Sequence, residues 1–270
     1  MNGFKILFKF YINSSIHVAL AVYALVRVTE KYFGLKYYET LDYFIFYGTI
    51  TGYNFVKYAG VAKFHHRSLT RNLKVIQVFS LICFLLMCNY AIQLPVNVLL
   101  VLLPFCLLTL MYAIPFLSGF QKSLRSISYL KIIVVAVVWA GVSVLLPLYS
   151  AERSINASMI LSLVQRFLLV IVLVLPFDIR DLKFDAISLQ TIPQKIGVEK
   201  TKKLGYVLLV FCLALEFITS PNSDYRTVFL ILFFLILFLL MRAIENQSKY
   251  YSSFLVEAVP IVWWGILLIS

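Results

Sequence analysis

Nine apolar runs, separated by short polar connections, set the pattern of this chain. They cover residues 12–28, 41–61, 75–92, 96–116, 130–150, 158–177, 204–219, 228–242 and 254–269. A helix of about 20 residues crosses the roughly 30 Å hydrocarbon layer of a bilayer, so each run predicts a membrane span. Arg27 and Lys57 sit near the end of the first run and inside the second. The first run also reads as an amphipathic helix lying on the membrane surface.

Composition agrees with that class. Of 270 residues, 62% are hydrophobic and 13% charged, far too apolar for an ordinary soluble domain. The sequence therefore predicts one domain over residues 1–270: an all-α, polytopic integral membrane protein with about nine transmembrane helices around a central cavity. Lysine and arginine favour one side. The amino terminus and every second connection carry eighteen of them, from Lys5 and Lys9 to Arg242 and Lys249; the opposite side carries five. That imbalance places the amino terminus in the cytoplasm and the carboxyl terminus outside, with a bacterial cytoplasmic membrane as the expected setting. The net charge of +12 is explained by this asymmetry and by anionic lipid, with no nucleic-acid partner. Cys83, Cys88, Cys106 and Cys212 all lie in apolar runs and read as small buried hydrophobes rather than disulfides.

Two cytoplasmic loops carry the candidate chemistry. After the run 158–177 comes Asp178-Ile179-Arg180-Asp181-Leu182-Lys183-Phe184-Asp185. On a helix continuing past Pro176, Asp178, Asp181 and Asp185 share an arc of roughly 60°, with Arg180 and Lys183 on the other side. Three carboxylates on one stripe repel one another and need positive charge, from Mg²⁺ or from basic side chains. Thr191 and Gly197 then bracket a short predicted interfacial helix. The loop 57–74 holds Lys57, Lys63, His65, His66, Arg67 and Arg71. Within the spans, Arg166, Glu216 and Glu257 require partners or a polar cavity, and His17 reads as a helix-to-helix hydrogen-bonding residue.

The aspartate stripe followed by Thr191-Ile192-Pro193-Gln194-Lys195-Ile196-Gly197 resembles the second aspartate-rich motif of the UbiA superfamily of membrane prenyltransferases. Tyr112-Ala113-Ile114-Pro115-Phe116, Arg125 and the run from Tyr129 to Gly141 resemble that family's segment between its fourth and fifth helices. The resemblance implies an isoprenyl diphosphate and a lipophilic acceptor as partners, with Mg²⁺ as cofactor. Asp178, Asp181 and Asp185 would be metal ligands; Asn54, Lys57 and Arg125 would contact the diphosphate. The family's first motif is degenerate here. Asn54 is kept, but Phe55, Tyr58 and Ala62 stand where its acids belong. Lys57 then either meets the phosphates directly or neutralises the stripe. Two other functions stay open: a non-catalytic isoprenoid-binding membrane protein of the same fold, and a small-solute transporter built on Arg166, Glu216 and Glu257.

Overall fold

A computed structural model describes residues 2–64, 71–113, 130–183, 190–220 and 222–270. Among these, all regular structure is helical. The helices are α1 (Asn2–Asn13), α2 (Ile16–Phe33), α3 (Glu39–Phe64), α4 (Arg71–Gln93), α5 (Val96–Ala113), α6 (Leu130–Ala140), α7 (Leu146–Ser150), α8 (Ala157–Asp181), α9 (Ile192–Ile196), α10 (Val198–Thr219), α11 (Ser223–Arg242) and α12 (Val259–Ile269). A π-helical turn, Gly141–Leu145, joins α6 to α7, and another, Tyr251–Val256, precedes α12.

Among the described residues, six helices are long and apolar enough to cross a membrane, or seven if the bent pair α1–α2 is one span. The sequence predicted nine. The difference comes from the first run and from two helices of sufficient length but mixed character. The first run is interrupted at Ser14 and Ser15, where α1 and α2 meet at 57°. α3 has 26 residues but includes Asp42, Asn54 and Lys57; α10 has 22 but includes Lys202, Lys203 and Glu216.

α2 lies at the centre and packs against α3, α12 and the first π turn. Its sequence explains why: Ala19, Ala21 and Ala24 are fully buried, and Val22, Leu25 and Val28 fill the space around them. Small residues let neighbouring backbones approach, and a helix apolar on all sides belongs inside a bundle. α4 and α5 do the opposite. Val78, Leu81 and Leu85, and Leu100, Leu103 and Leu107, are exposed, as suits a lipid-facing surface. At Gly141 a Cβ would stand 2.2 Å from the Phe105 ring, so the π turn and α5 meet where only glycine fits.

The polar residues on these helices are used between them. Glu216 accepts from the Tyr32 hydroxyl at 2.8 Å and from Gln165 Nε2 at 2.8 Å. Arg166 donates to the Leu25 carbonyl at 3.1 Å, and its guanidinium lies 4.9 Å from the Trp263 ring centre. Glu216 is fully buried and within electrostatic reach of Arg166. The cluster ties α2, α8, α10 and α12 together. Nearby on α2, Arg27 pairs with Glu30 and, at 3.4 Å, with Asp42 of α3.

Removing the centre of the first cluster should be costly. Glu216→Ala takes one of two acceptors from Gln165, removes the acceptor of the Tyr32 hydroxyl, and leaves Arg166 without the carboxylate within its electrostatic reach. The expected loss is roughly 3–5 kcal/mol, read as a fall in the thermal midpoint of the detergent-purified protein. Glu216→Gln, which keeps an acceptor, should lose clearly less.

Candidate functional site

The helix that carries the aspartates does continue through Pro176, as α8 runs to Asp181. Gln247 Nε2 supports this stretch by donating to the Pro176 carbonyl at 2.6 Å. Two residues on, Asp178 is 1% exposed, and its Oδ1 accepts from Lys131 Nζ at 2.9 Å. Lys131 reaches it because α6 packs along α8. One turn later, Asp181 meets Arg180: Nε lies 2.8 Å from one carboxylate oxygen and Nη2 lies 3.2 Å from the other. Helical geometry alone directs Arg180 away from the stripe. Its long side chain turns back, because a guanidinium and a carboxylate match in a two-bond fork.

Asp178 and Asp181 offer the hard oxygen donors that Mg²⁺ takes. Each already has a protein cation, however, and among the described residues no three metal-type ligands converge. A metal on this pair would compete with Lys131 and Arg180 for the same carboxylates. Asp185 and Arg125 lie outside the described residues, as do His65, His66 and Arg67. The predicted short helix is present as α9, with Thr191 N–H donating to Gln194 Oε1 at 2.9 Å and Gly197 ending it at φ +80°.

The residues at the degenerate first motif hold a broken helix. Between α1 and α2 the chain turns at Ser15, whose φ is +63°. That turn leaves backbone groups without helical partners. Asn54 is buried, accepts from Ser15 Oγ at 2.8 Å, and donates to the Ser14 carbonyl at 3.0 Å and to Ser80 Oγ at 2.7 Å. Lys57 Nζ and the Tyr58 hydroxyl both donate to the Asn13 carbonyl, at 3.1 and 2.9 Å. Thus the ammonium that neutralises Asp178 belongs to Lys131. Lys57 is exposed and makes one backbone contact, leaving two of its protons for another acceptor.

A further acid faces this region. Glu257 follows the π turn before α12 and lies within electrostatic reach of Lys57 and Arg180. Tyr11 and Tyr53 are near enough to sense its charge, and Lys249 lies near Lys57. Trp139 Nε1 donates to the Tyr53 hydroxyl at 2.8 Å. α1, α3, α6, α8 and the second π turn therefore bring Lys57, Lys131, Arg180, Asp178, Asp181 and Glu257 to one region of the bundle. The sequence marked Glu257 as costly to bury but gave no means of seating it near Lys57, because 200 residues separate them.

The bonds to Asn54 predict a stability effect. Asn54→Ala removes three hydrogen bonds and leaves the Ser14 carbonyl unpaired in a buried place. An expected loss of about 1–3 kcal/mol is measured as a lower thermal midpoint. A variant as stable as the parent would mean that the break is held by Lys57 and Tyr58 alone.

No family model matches the chain, and no curated protein matches it by sequence. Solved structures do match. An apo UbiA homologue from Aeropyrum pernix K1 aligns over 94% of this chain and 97% of its own, with TM-score 0.64 and 15% identity. A UbiA homologue from Archaeoglobus fulgidus, bound to GPP and Mg²⁺, aligns over 97% and 98%, with TM-score 0.61 and 13% identity. A digeranylgeranylglyceryl phosphate synthase aligns over 98% and 96%, with TM-score 0.58 and 13% identity. This chain has the UbiA fold and is an all-α, multi-pass integral membrane protein.

Proposed function

We propose that the protein transfers an isoprenyl group from its diphosphate to a lipophilic acceptor. The observation that carries this reading is the gathering of Lys57, Lys131 and Arg180 at one region of a UbiA-fold bundle. Two of the similar structures hold isoprenyl diphosphates with Mg²⁺, GPP in one and DMAPP in the other. A departing diphosphate concentrates negative charge, and fixed cations in a water-poor site stabilise it as it forms. The prenyl tail fits among apolar helices, and the rings of Tyr53 and Trp139 offer faces to the allylic cation.

Lys57 is the best placed diphosphate contact, because its single backbone bond leaves donors to spare. Asn54 then acts indirectly, by fixing the turn that Lys57 also touches. Arg125 remains a proposed contact by resemblance. Asp178, Asp181 and Asp185 would hold Mg²⁺, with Lys131 and Arg180 turning from them to the diphosphate. When bound, Mg²⁺ would neutralise part of the leaving charge. The lysine and arginine asymmetry supports a cytoplasmic position for this mouth.

A second reading draws on the same ion pairs. If Lys131 and Arg180 stay on Asp178 and Asp181, the bundle binds isoprenoid diphosphate as a carrier and leaves it intact.

Diphosphate release from labelled GPP by the purified protein separates the two. Transfer chemistry predicts release that Mg²⁺ stimulates and that falls roughly 10–100-fold in Asp181→Asn, the scale seen when metal-supporting groups are lost. Lys57→Ala should weaken binding of a non-hydrolysable GPP analogue by about 1–3 kcal/mol, as for a charge-assisted hydrogen bond. Binding without release would favour the carrier. No binding at all would end both readings.

A further inference from the structure

Glu257 is set in place by an irregular piece of backbone. The Tyr251–Val256 turn is π-helical, and Glu257 N–H bonds back five residues to the Ser252 carbonyl. π turns redirect the side chains that follow them and recur at functional sites. This one is held firmly. His17 Nε2 bonds the Phe254 carbonyl at 2.9 Å, and the His17 ring stacks on Phe254 with centroids 5.0 Å apart. The Tyr11 hydroxyl completes the line at 2.7 Å from His17 Nδ1. Ser252 Oγ donates to Gln247, which itself braces α8 at Pro176.

The carboxylate so positioned is not used to hold the fold together. Among the described residues no ion pair or hydrogen bond ends on it, unlike Glu216, which accepts two hydrogen bonds at 2.8 Å. The charged and titratable groups within electrostatic reach of it are Lys57 and Tyr53 of α3, Arg180 of α8 and Tyr11 of α1. Both cations are among the three that the proposed function assigns to the diphosphate. In its ionised form, a carboxylate within reach of these cations would compete with the diphosphate for them, so the role proposed for it is a different one. It can take a proton.

Resting on the prenyl-transfer reading, we propose that Glu257 is the base that receives the proton lost by the acceptor. In that step the C1–O bond of the donor breaks, and its electron pair leaves with the diphosphate. A protic nucleophile of the acceptor, an alcohol or phenol oxygen, forms the new bond to C1. Its proton passes to a carboxylate oxygen of Glu257, which becomes neutral. Atoms and charge balance without any further reactant. The placement also serves electrostatics: Lys57 and Arg180 lose a negative neighbour as the diphosphate gains its charge. The substrate class in this proposal is a lipid-soluble acceptor that gives up a proton on alkylation, taken here as one with a hydroxyl group.

The test uses Glu257→Gln, close to isosteric and without the charge, in the full-length protein. Two quantities are measured: binding of a non-hydrolysable GPP analogue, and single-turnover transfer of label from GPP into a total lipid extract that supplies hydroxylated acceptors. The expected result is donor binding within about twofold of the parent and transfer lower by ~10²–10⁴-fold, the usual contribution of a positioned base. Glu257→Asp should recover part of the transfer. Parental transfer in Glu257→Gln overturns the role of this residue and leaves the prenyl-transfer reading intact. Loss of donor binding together with transfer also overturns it, in favour of a positioning role through Lys57. A parent that transfers no label removes the reaction itself, and this proposal with it.

Discussion

A backbone that leaves its helical path inside a membrane must have its freed N–H and C=O groups met by protein, because hydrocarbon offers no partner. This constraint organises one end of the bundle. The chain departs from α-helix between Asn13 and Ser15 and again at Tyr251–Val256. Asn54, Lys57 and Tyr58 satisfy the first departure, and His17 satisfies part of the second. The two breaks are joined, since Tyr11 at the end of α1 bonds the same His17. Side chains that look like scattered polar residues in apolar runs are therefore one continuous brace.

The brace gives a physical account of the degenerate first motif. Carboxylates at positions 55, 58 and 62 could not donate to backbone carbonyls. A phenol at Tyr58 and an ammonium at Lys57 can. Of the three positions only Tyr58 supplies a donor, and with the neighbouring Lys57 it clamps the α1–α2 turn. Lys57 also adds positive charge there, which on the prenyl-transfer reading would suit direct contact with a diphosphate.

Class and element order were legible from the apolar runs, because length and hydropathy decide what a bilayer accepts. The span at 130–150 corresponds in its bounds to the observed α6–α7 rod, and α9 sits between the Thr191 and Gly197 signals that mark it. The interruption at Ser14–Ser15 was not legible, since two serines in an apolar run cost little on any hydropathy count. Nor were the ion partners. Periodicity set Asp178, Asp181 and Asp185 on one face, yet periodicity within α8 says nothing of Lys131 on α6. Arg180 also defeats helical geometry, because a side chain of that length can reach a neighbour its Cβ points away from.

The two ends of the bundle differ in how their charges are used. Around Arg166 and Glu216 the polar groups are buried and matched across helices, with carboxylate oxygens, amide and phenol all engaged. Such a cluster fixes helix positions through its bonds from α2, α8 and α10. At the other end Lys57 spends one donor on a carbonyl, Arg180 answers Asp181, and Glu257 faces both without a bond of its own. Uncommitted charge inside an apolar bundle is expensive. A structure that retains it beside a held-open break in the backbone has the arrangement that an ionic substrate can complete. On the prenyl-transfer reading, the costs would be met by contacts that form only with a bound diphosphate, so that binding energy is directed to chemistry rather than to holding the resting protein together.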